Sequence, residues 1–168
     1  MRNLEIKVAV TDKETTLAAI KQLGAVFQYT MRQRDDYLSV GEHKQKLRAI
    51  DGSEFQLVTY RRIEAQGRKD SHYTIEKLSA QAAEDLLKHR KSVRVVSKTR
   101  NLWLYKHTRI HVDCVDGLGD FLELETVLSE ISPEEGEREF NAVVAGLEID
   151  AAHSIAASYA DLAAAKNI

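Results

Sequence analysis

Two glutamates lie close together in a segment of alternating character at 121–127, which reads Phe-Leu-Glu-Leu-Glu-Thr-Val. Because Glu123 and Glu125 are two residues apart, an extended strand projects both carboxylates from the same face. Glutamate is a poor strand former, so propensity alone does not explain the pair. Carboxylates grouped in this way are suited to holding a divalent cation such as Mg²⁺ or Mn²⁺.

Charged residues two apart recur on nearly every segment that has the periodicity of a strand. The acids are Glu5, Asp35, Glu76, Asp113, Glu123 and Glu125, and the bases are Lys7, Lys46, Arg48, Arg61, Lys98, Arg100 and Arg109. One interpretation is an antiparallel sheet with a polar face in water, which predicts a structural or interaction protein. The other is that the sheet curls or closes, so that these side chains line one cavity.

A cavity lined in this way would have a definite chemistry. Arg and Lys bind phosphate oxygens through charge-assisted hydrogen bonds, so a cluster of them suits a polyanion. Carboxylates beside them would repel a bare polyanion, but they are explained if they hold Mg²⁺ or Mn²⁺ that bridges to the phosphates. The combination indicates triphosphate chemistry.

The elements that must position these residues can be predicted from the periodicity of the apolar positions. Extended segments are predicted at 3–10, 25–32, 35–40, 45–50, 54–61, 71–78, 93–105, 108–115 and 121–126, and helices at about 12–23, 79–91, 133–146 and 150–165. A polar loop is predicted at 62–70. About eight strands joined by short turns are typical of an antiparallel sheet, and the helices can cover its apolar faces, which gives an α+β fold.

Composition limits the class of protein further. A chain of 168 residues, 43% hydrophobic and 30% charged, is expected to form one globular domain spanning 1–168. The formal net charge of −2 argues against binding nucleic acid by bulk attraction. The single cysteine, Cys114, excludes an intrachain disulfide and fits a reducing compartment. We see no signal peptide and no membrane-spanning run, so a cytoplasmic location without membrane contact is expected.

The charged motifs, taken in order along most of the chain, resemble those of the CYTH superfamily, which comprises class IV adenylyl cyclases, thiamine triphosphatases and inorganic triphosphatases. Asn3-Leu4-Glu5-Ile6-Lys7 is similar to the family's N-terminal Glu-x-Glu-x-Lys signature. Further segments that resemble family motifs are Gln33-x-Asp35-x-Tyr37, Lys46-Leu47-Arg48, Thr59-Tyr60-Arg61, Lys98-Thr99-Arg100 and, with the closest similarity, 113–125. The C-terminal segments 147–149 and 158–162 look most like those of class IV adenylyl cyclases.

The resemblance implies a closed, eight-stranded antiparallel β-barrel that forms a triphosphate tunnel. It implies a metal-dependent enzyme, in the first instance one that converts ATP to cyclic AMP and pyrophosphate. An inorganic or thiamine triphosphatase is the alternative, and a non-catalytic module that binds nucleotide or polyphosphate is the second alternative. A homodimer contact through the two C-terminal helices, or packing of those helices on the barrel, is left open.

The resemblance also implies roles for individual residues. Mg²⁺ or Mn²⁺ would be coordinated by Glu5, Glu123 and Glu125, which together with Lys7 form the catalytic set. The triphosphate (ATP, tripolyphosphate or thiamine triphosphate) would be held by Lys7, Lys46, Arg48, Arg61, Lys98, Arg100 and Arg109. Asp113 is either a further metal ligand or an anchor for a neighbouring arginine.

Two positions depart from the family pattern, and one histidine, His111, shares a strand face with Arg109 and Asp113. Asn3 replaces the first glutamate of the signature, which removes one charge and should lower metal affinity. Lys46 replaces an arginine, which keeps the charge and loses bidentate geometry. His111 lies between Arg109 and Asp113, where a structural histidine with its hydrogen bonds satisfied is the expectation.

Overall fold

The computed structural model describes residues 2–39, 43–65 and 68–168. The strands are β1 (Arg2–Ala9), β2 (Val26–Ser39), β3 (His43–Ile50), β4 (Glu54–Ala65), β5 (Arg68–Leu78), β6 (Arg94–Tyr105), β7 (Thr108–Val115) and β8 (Gly119–Val127). The helices are α1 (Lys13–Gln22), α2 (Ala80–His89), α3 (Pro133–Gly146) and α4 (Tyr159–Ala165), with a 3-10 turn at Ala151–His153.

The eight strands form a closed barrel in the order β1-β5-β4-β3-β2-β6-β7-β8, and β8 pairs with β1 to complete the ring. Every neighbouring pair is antiparallel. This confirms the α+β barrel that the motifs imply. It also removes the interpretation of an open sheet with one wet face, because closure gives the sheet an inside and an outside.

The outer face of one half of the barrel is apolar and is covered by helices. Leu4 and Ile6 of β1 and Leu124 of β8 pack in one buried cluster with Ile20 of α1 and Phe140 of α3. Because side chains alternate across a strand, burying these positions outward directs the intervening charged residues into the barrel. Helix α2 covers β2 to β5 in the same way, through a second cluster around Leu47 and Ala83.

Helix starts follow the predicted caps. Asp12 accepts a hydrogen bond from the Thr15 backbone N–H at 3.1 Å, and Ser79 accepts one from Ala82 at 3.1 Å. Ser132 forms a reciprocal capping box with Glu135 at the start of α3. These side chains satisfy N–H groups that have no partner within the helix, which fixes where each helix begins. Among the helices of the described ranges, none is both long enough and apolar enough to cross a membrane.

Two element predictions are wrong. Within the segment 62–70, which is predicted to be a loop, residues 62–65 belong to β4 and residues 68–70 belong to β5, with Ile63 opposite Asp70 in the ladder; residues 66–67 lie outside the described residues. Cross-strand pairing there supplies the order that local propensity does not indicate. The helix predicted at 150–165 is interrupted: the chain is extended after the 3-10 turn, and Ile155 N–H donates to the Lys7 carbonyl at 2.7 Å. A capping box between Ser158 and Asp161 then starts the separate helix α4.

Candidate active site

The barrel encloses a cavity of about 450 Å³. All the residues predicted for the site line it except Arg61 and Asp113; those present are Glu5, Lys7, Lys46, Arg48, Lys98, Arg100, Arg109, Glu123 and Glu125. The inward alternation predicted for β1, β3, β6, β7 and β8 therefore brings acids and bases from distant parts of the chain into one space.

Strand register places the carboxylates together on one wall. Glu5 of β1 lies directly opposite Glu125 of β8, and Lys7 lies opposite Glu123. On the other side of β8, Arg109 of β7 lies opposite Glu125 and its Nη2 is 3.1 Å from Glu125 Oε2. Directly opposed residues share a face of the sheet, so three glutamates converge by backbone pairing alone.

A buried aspartate organises the cations on the opposite wall. Asp35 of β2 accepts hydrogen bonds from Lys46 Nζ at 2.8 Å and from Arg48 at 2.7 and 2.9 Å, and Lys98 Nζ lies 3.8 Å away. Burial alone would raise the pKa of Asp35, but the surrounding cations outweigh it and hold that pKa well below its usual value. An ionised Asp35 thus fixes several cationic side chains in place before any ligand arrives.

The structure places Asp113 and Arg61 differently from the other predicted residues. Asp113 is fully buried; both its oxygens accept from Arg100, at 2.7 and 2.6 Å, and Tyr159 donates to it at 2.9 Å. This geometry favours the alternative in which Asp113 anchors an arginine. The expected position of Arg61 is wrong: its side chain is exposed, because Val58 lies opposite the inward Lys46 and so β4 directs Val58 and Tyr60 inward.

One group of side chains has the composition and spacing of a metal site. Ligand atoms of His111, Glu123 and Glu125 all lie within 4.8 Å of one another. Two ligands of one cation at bonds of ~2.1 Å can be at most ~4.2 Å apart, so a small closing movement would complete the site. Glu5 adjoins it through its pairing with Glu125. The Asn3 amide oxygen is oriented toward Arg109 Nη2 at 3.2 Å, so Asn3 holds an arginine beside this group. These residues fit a divalent cation.

The sequence analysis assigns no site role to Tyr159, a residue of the segment 158–162, but the structure shows that this tyrosine closes one end of the barrel. Tyr159 packs against inward residues of the barrel such as Tyr37 and Phe121, and the ammonium groups of Lys7 and Lys98 lie 4.3 and 4.9 Å from its ring centroid. Lys7 Nζ also donates to the Ala157 carbonyl at 2.8 Å. No local pattern at 158–162 indicates these contacts, because they join parts of the chain that are far apart in sequence.

The other end of the cavity is open and partly apolar. Tyr29 lines it and is 52% exposed, and Ile75 lines it and is 41% exposed. Tyr29 precedes Tyr37 by eight residues on β2, which separates the two ends by ~26 Å along the strand. The cavity therefore runs from a tyrosine-closed end, past the charged walls, to an open mouth with aromatic and aliphatic side chains.

A closed antiparallel barrel whose interior holds a cluster of glutamates and six basic side chains defines a tunnel-type domain, and comparison with known proteins identifies it. The CYTH domain matches residues 1–159, so the chain belongs to the CYTH domain family. A protein of Methanocaldococcus jannaschii with a provisional adenylate cyclase name is 27% identical over 172 residues, covering 96% of this chain and 98% of that protein.

Solved structures share the fold. A Pyrococcus horikoshii protein superposes with a TM-score of 0.83 at 22% identity, over 95% of this chain and 98% of that one. A provisional adenylyl cyclase from Hippeastrum, described as having a dominant triphosphatase activity, superposes with a TM-score of 0.70 at 13% identity, over 98% and 96% of the two chains. At these identities the likeness concerns the fold.

Proposed function

We propose that this protein is a divalent-metal-dependent enzyme that acts on a nucleoside triphosphate inside the barrel, converting ATP to cyclic AMP and pyrophosphate. The observation that carries the proposal is the meeting of two walls in one cavity, with glutamates from β1 and β8 facing cations from β3 and β6. Neither wall alone specifies a triphosphate, because bases alone suit any polyanion and acids alone suit any cation.

The cations would hold the phosphate chain. Six basic side chains line the cavity, namely Lys7, Lys46, Arg48, Lys98, Arg100 and Arg109. Asp35 and Asp113 hold several of them in fixed orientations, so little ordering entropy remains to be lost when a ligand binds. Donors that are already aimed at the phosphates can also stabilise the negative charge that develops on a departing pyrophosphate.

The carboxylates would hold the metal. Glu123 and Glu125, with Glu5 beside them, would bind Mg²⁺ or Mn²⁺. When bound, the cation would act as a Lewis acid toward phosphoryl oxygens and would make the attacking hydroxyl group more acidic. The protein's own part is to place the 3′-hydroxyl of the ribose in line with the α-phosphorus and to exclude water from the closed end. Tyr159 contributes to the exclusion by filling that end.

The shape of the cavity favours an organic triphosphate. A volume of about 450 Å³ lies within the range of pockets that enclose small organic ligands, and the open end presents Tyr29 and Ile75. A base or thiamine ring could contact these side chains, whereas inorganic tripolyphosphate would leave them unfilled. Hydrolysis of the terminal phosphate remains the second candidate, because a structural neighbour named as an adenylyl cyclase is described as mainly a triphosphatase.

The test is turnover of ATP, tripolyphosphate and thiamine triphosphate, each with Mg²⁺ and with Mn²⁺, followed by identification of products. Cyclic AMP with pyrophosphate supports the cyclase, and ADP with phosphate supports the triphosphatase. Tight binding of ATP without any product would instead identify a binding module. In that case, activity gained by Asn3→Glu would show that the missing carboxylate is the cause. Absence of both binding and turnover would overturn the proposal.

A pH-dependent proton uptake is expected when a triphosphate binds. Burial and the neighbouring Arg100 lower the pKa of Lys98 to about 8, so Lys98 loses its proton in the free protein as the pH rises through 8. A bound polyanion favours the charged form and raises this pKa, so binding takes up protons at pH 8.5 and affinity falls above pH 8.

Calorimetry of tripolyphosphate binding in buffers of different ionisation enthalpy measures this uptake. Lys98→Arg is the matched variant, because arginine keeps the charge and does not titrate in this range. We expect the variant to take up fewer protons at pH 8.5 than the wild type. Equal uptake by the two proteins would contradict the assignment to Lys98.

A further inference from the structure

His111 occupies an unusual position for a buried histidine. It is 4% exposed, and its Nδ1 has no hydrogen-bond partner among the described residues. Buried polar groups are nearly always hydrogen-bonded, so an exception requires a cause. The strand register places Leu102, whose side chain has no donor or acceptor, opposite His111 on β6, and it places Glu123 opposite His111 on β8.

The imidazole faces the two carboxylates without bonding to them. Nδ1 lies 3.8 Å from Glu125 Oε1, which is longer than a hydrogen bond, and a nitrogen of His111 lies within 4.8 Å of carboxylate oxygens of both glutamates. An imidazole ring nitrogen that carries no proton has a lone pair that it can give to a metal ion.

We propose that His111 is a nitrogen ligand of the cation held by Glu123 and Glu125, and that it biases this site toward Mn²⁺ over Mg²⁺. The inference rests on the proposed function in one respect, namely that the two glutamates bind a divalent cation. Mg²⁺ prefers six oxygen ligands in near-ideal octahedral geometry, whereas imidazole suits transition metals. One histidine and two carboxylates therefore favour a first-row transition ion over Mg²⁺.

Mn²⁺ alone, without nucleotide, is the probe. Pulsed electron paramagnetic resonance of bound Mn²⁺ should show ¹⁴N coupling from one imidazole, replaced by ¹⁵N coupling when histidine is ¹⁵N-labelled. His111→Gln should abolish the coupling. It should also weaken Mn²⁺ binding about 10-fold or more while changing Mg²⁺ affinity by less than about 3-fold. The control is His89→Gln, an exposed position on α2, which should leave the spectrum and both affinities unchanged.

The outcomes separate this inference from the proposed function. Mn²⁺ that binds through oxygens only, with no nitrogen coupling in the wild type, overturns the role of His111 while a metal-dependent activity still stands. An equal loss of Mn²⁺ and Mg²⁺ affinity in His111→Gln overturns the metal preference. Absence of any bound cation, together with absence of turnover, removes both proposals. The labelled wild-type spectrum decides the ligand question even if His111→Gln does not fold.

Discussion

Replacing Glu125 by glutamine is expected to lower kcat/KM for the triphosphate by about 100-fold or more. Glu125 takes part in both cation binding and phosphate binding as proposed here. It lies opposite Glu5 and belongs to the group that can hold a cation, and its Oε2 is 3.1 Å from Nη2 of Arg109, one of the proposed phosphate-binding residues. Glutamine keeps the size of the side chain and one acceptor oxygen but removes the charge. Steady-state turnover at saturating Mg²⁺ and Mn²⁺ measures the effect.

A matched control distinguishes this effect from a general loss of negative charge. Glu76 is exposed on β5, and Glu76→Gln should leave kcat/KM within about 2-fold of the wild type, as expected of a surface charge. Thermal unfolding of both variants checks the fold. If Glu125→Gln retains activity within about 3-fold of the wild type, the glutamates do not hold the catalytic metal and the proposed mechanism fails.

Alternation predicts which way a strand faces only where its two faces differ clearly. On β1 the apolar Leu4 and Ile6 alternate with Glu5 and Lys7, and the barrel buries the first pair under helices and the second pair in the cavity. The sequence therefore predicts the charged walls on β1, β6, β7 and β8. The same rule fails at the end of β4, where Val58 and Tyr60 face inward and Arg61 does not.

The failure on β4 and β5 has a physical reason. The barrel wall there is lined by Val58, Tyr60 and Ile75, while Arg61 and Glu76 face outward and are exposed. Where an outer face carries exposed charged residues and the inner face is partly apolar, polarity does not indicate the direction of a side chain. The strand register does indicate the direction, because Val58 lies opposite the inward-facing Lys46. Register, however, depends on the pairing of two strands and cannot be predicted from the sequence of either strand alone.

Contacts between the C-terminal segment and the barrel also cannot be predicted from local sequence patterns. Tyr159 donates to Asp113, and Lys44 Nζ lies 2.6 Å from Asp161 Oδ2, although each pair is remote in sequence. The periodicity at 150–165 indicates a helix, and only the packing against the barrel end shows why that helix is interrupted. Residues that complete a site from a distant segment therefore remain the least predictable part of it.

Replacing Asp113 by asparagine is expected to lower the free energy of unfolding by about 3 kcal/mol or more. Asp113 is fully buried and makes a bidentate ion pair with Arg100. Loss of the Asp113 charge leaves the buried Arg100 guanidinium with one bonded carboxylate among the described residues, that of Glu123 at 2.8 Å. Urea unfolding of the metal-free protein measures the change. The control is Asp116→Asn, which breaks an exposed pair with Arg32 and should cost less than about 1 kcal/mol.

The pH dependence of this difference provides a second check. Burial alone would raise the pKa of Asp113, but Arg100 and Lys98 outweigh it and lower that pKa to about 2. The stabilising contribution is therefore fully present above the unfolded-state pKa of about 3.9 and is lost as the pH falls toward 2, so the two proteins should converge in stability over that range. If Asp113 were instead a metal ligand, Asp113→Asn would lower metal affinity and leave the metal-free protein about as stable as the wild type. A change of less than about 1 kcal/mol at pH 7 would thus reject the anchoring role and return Asp113 to the metal site.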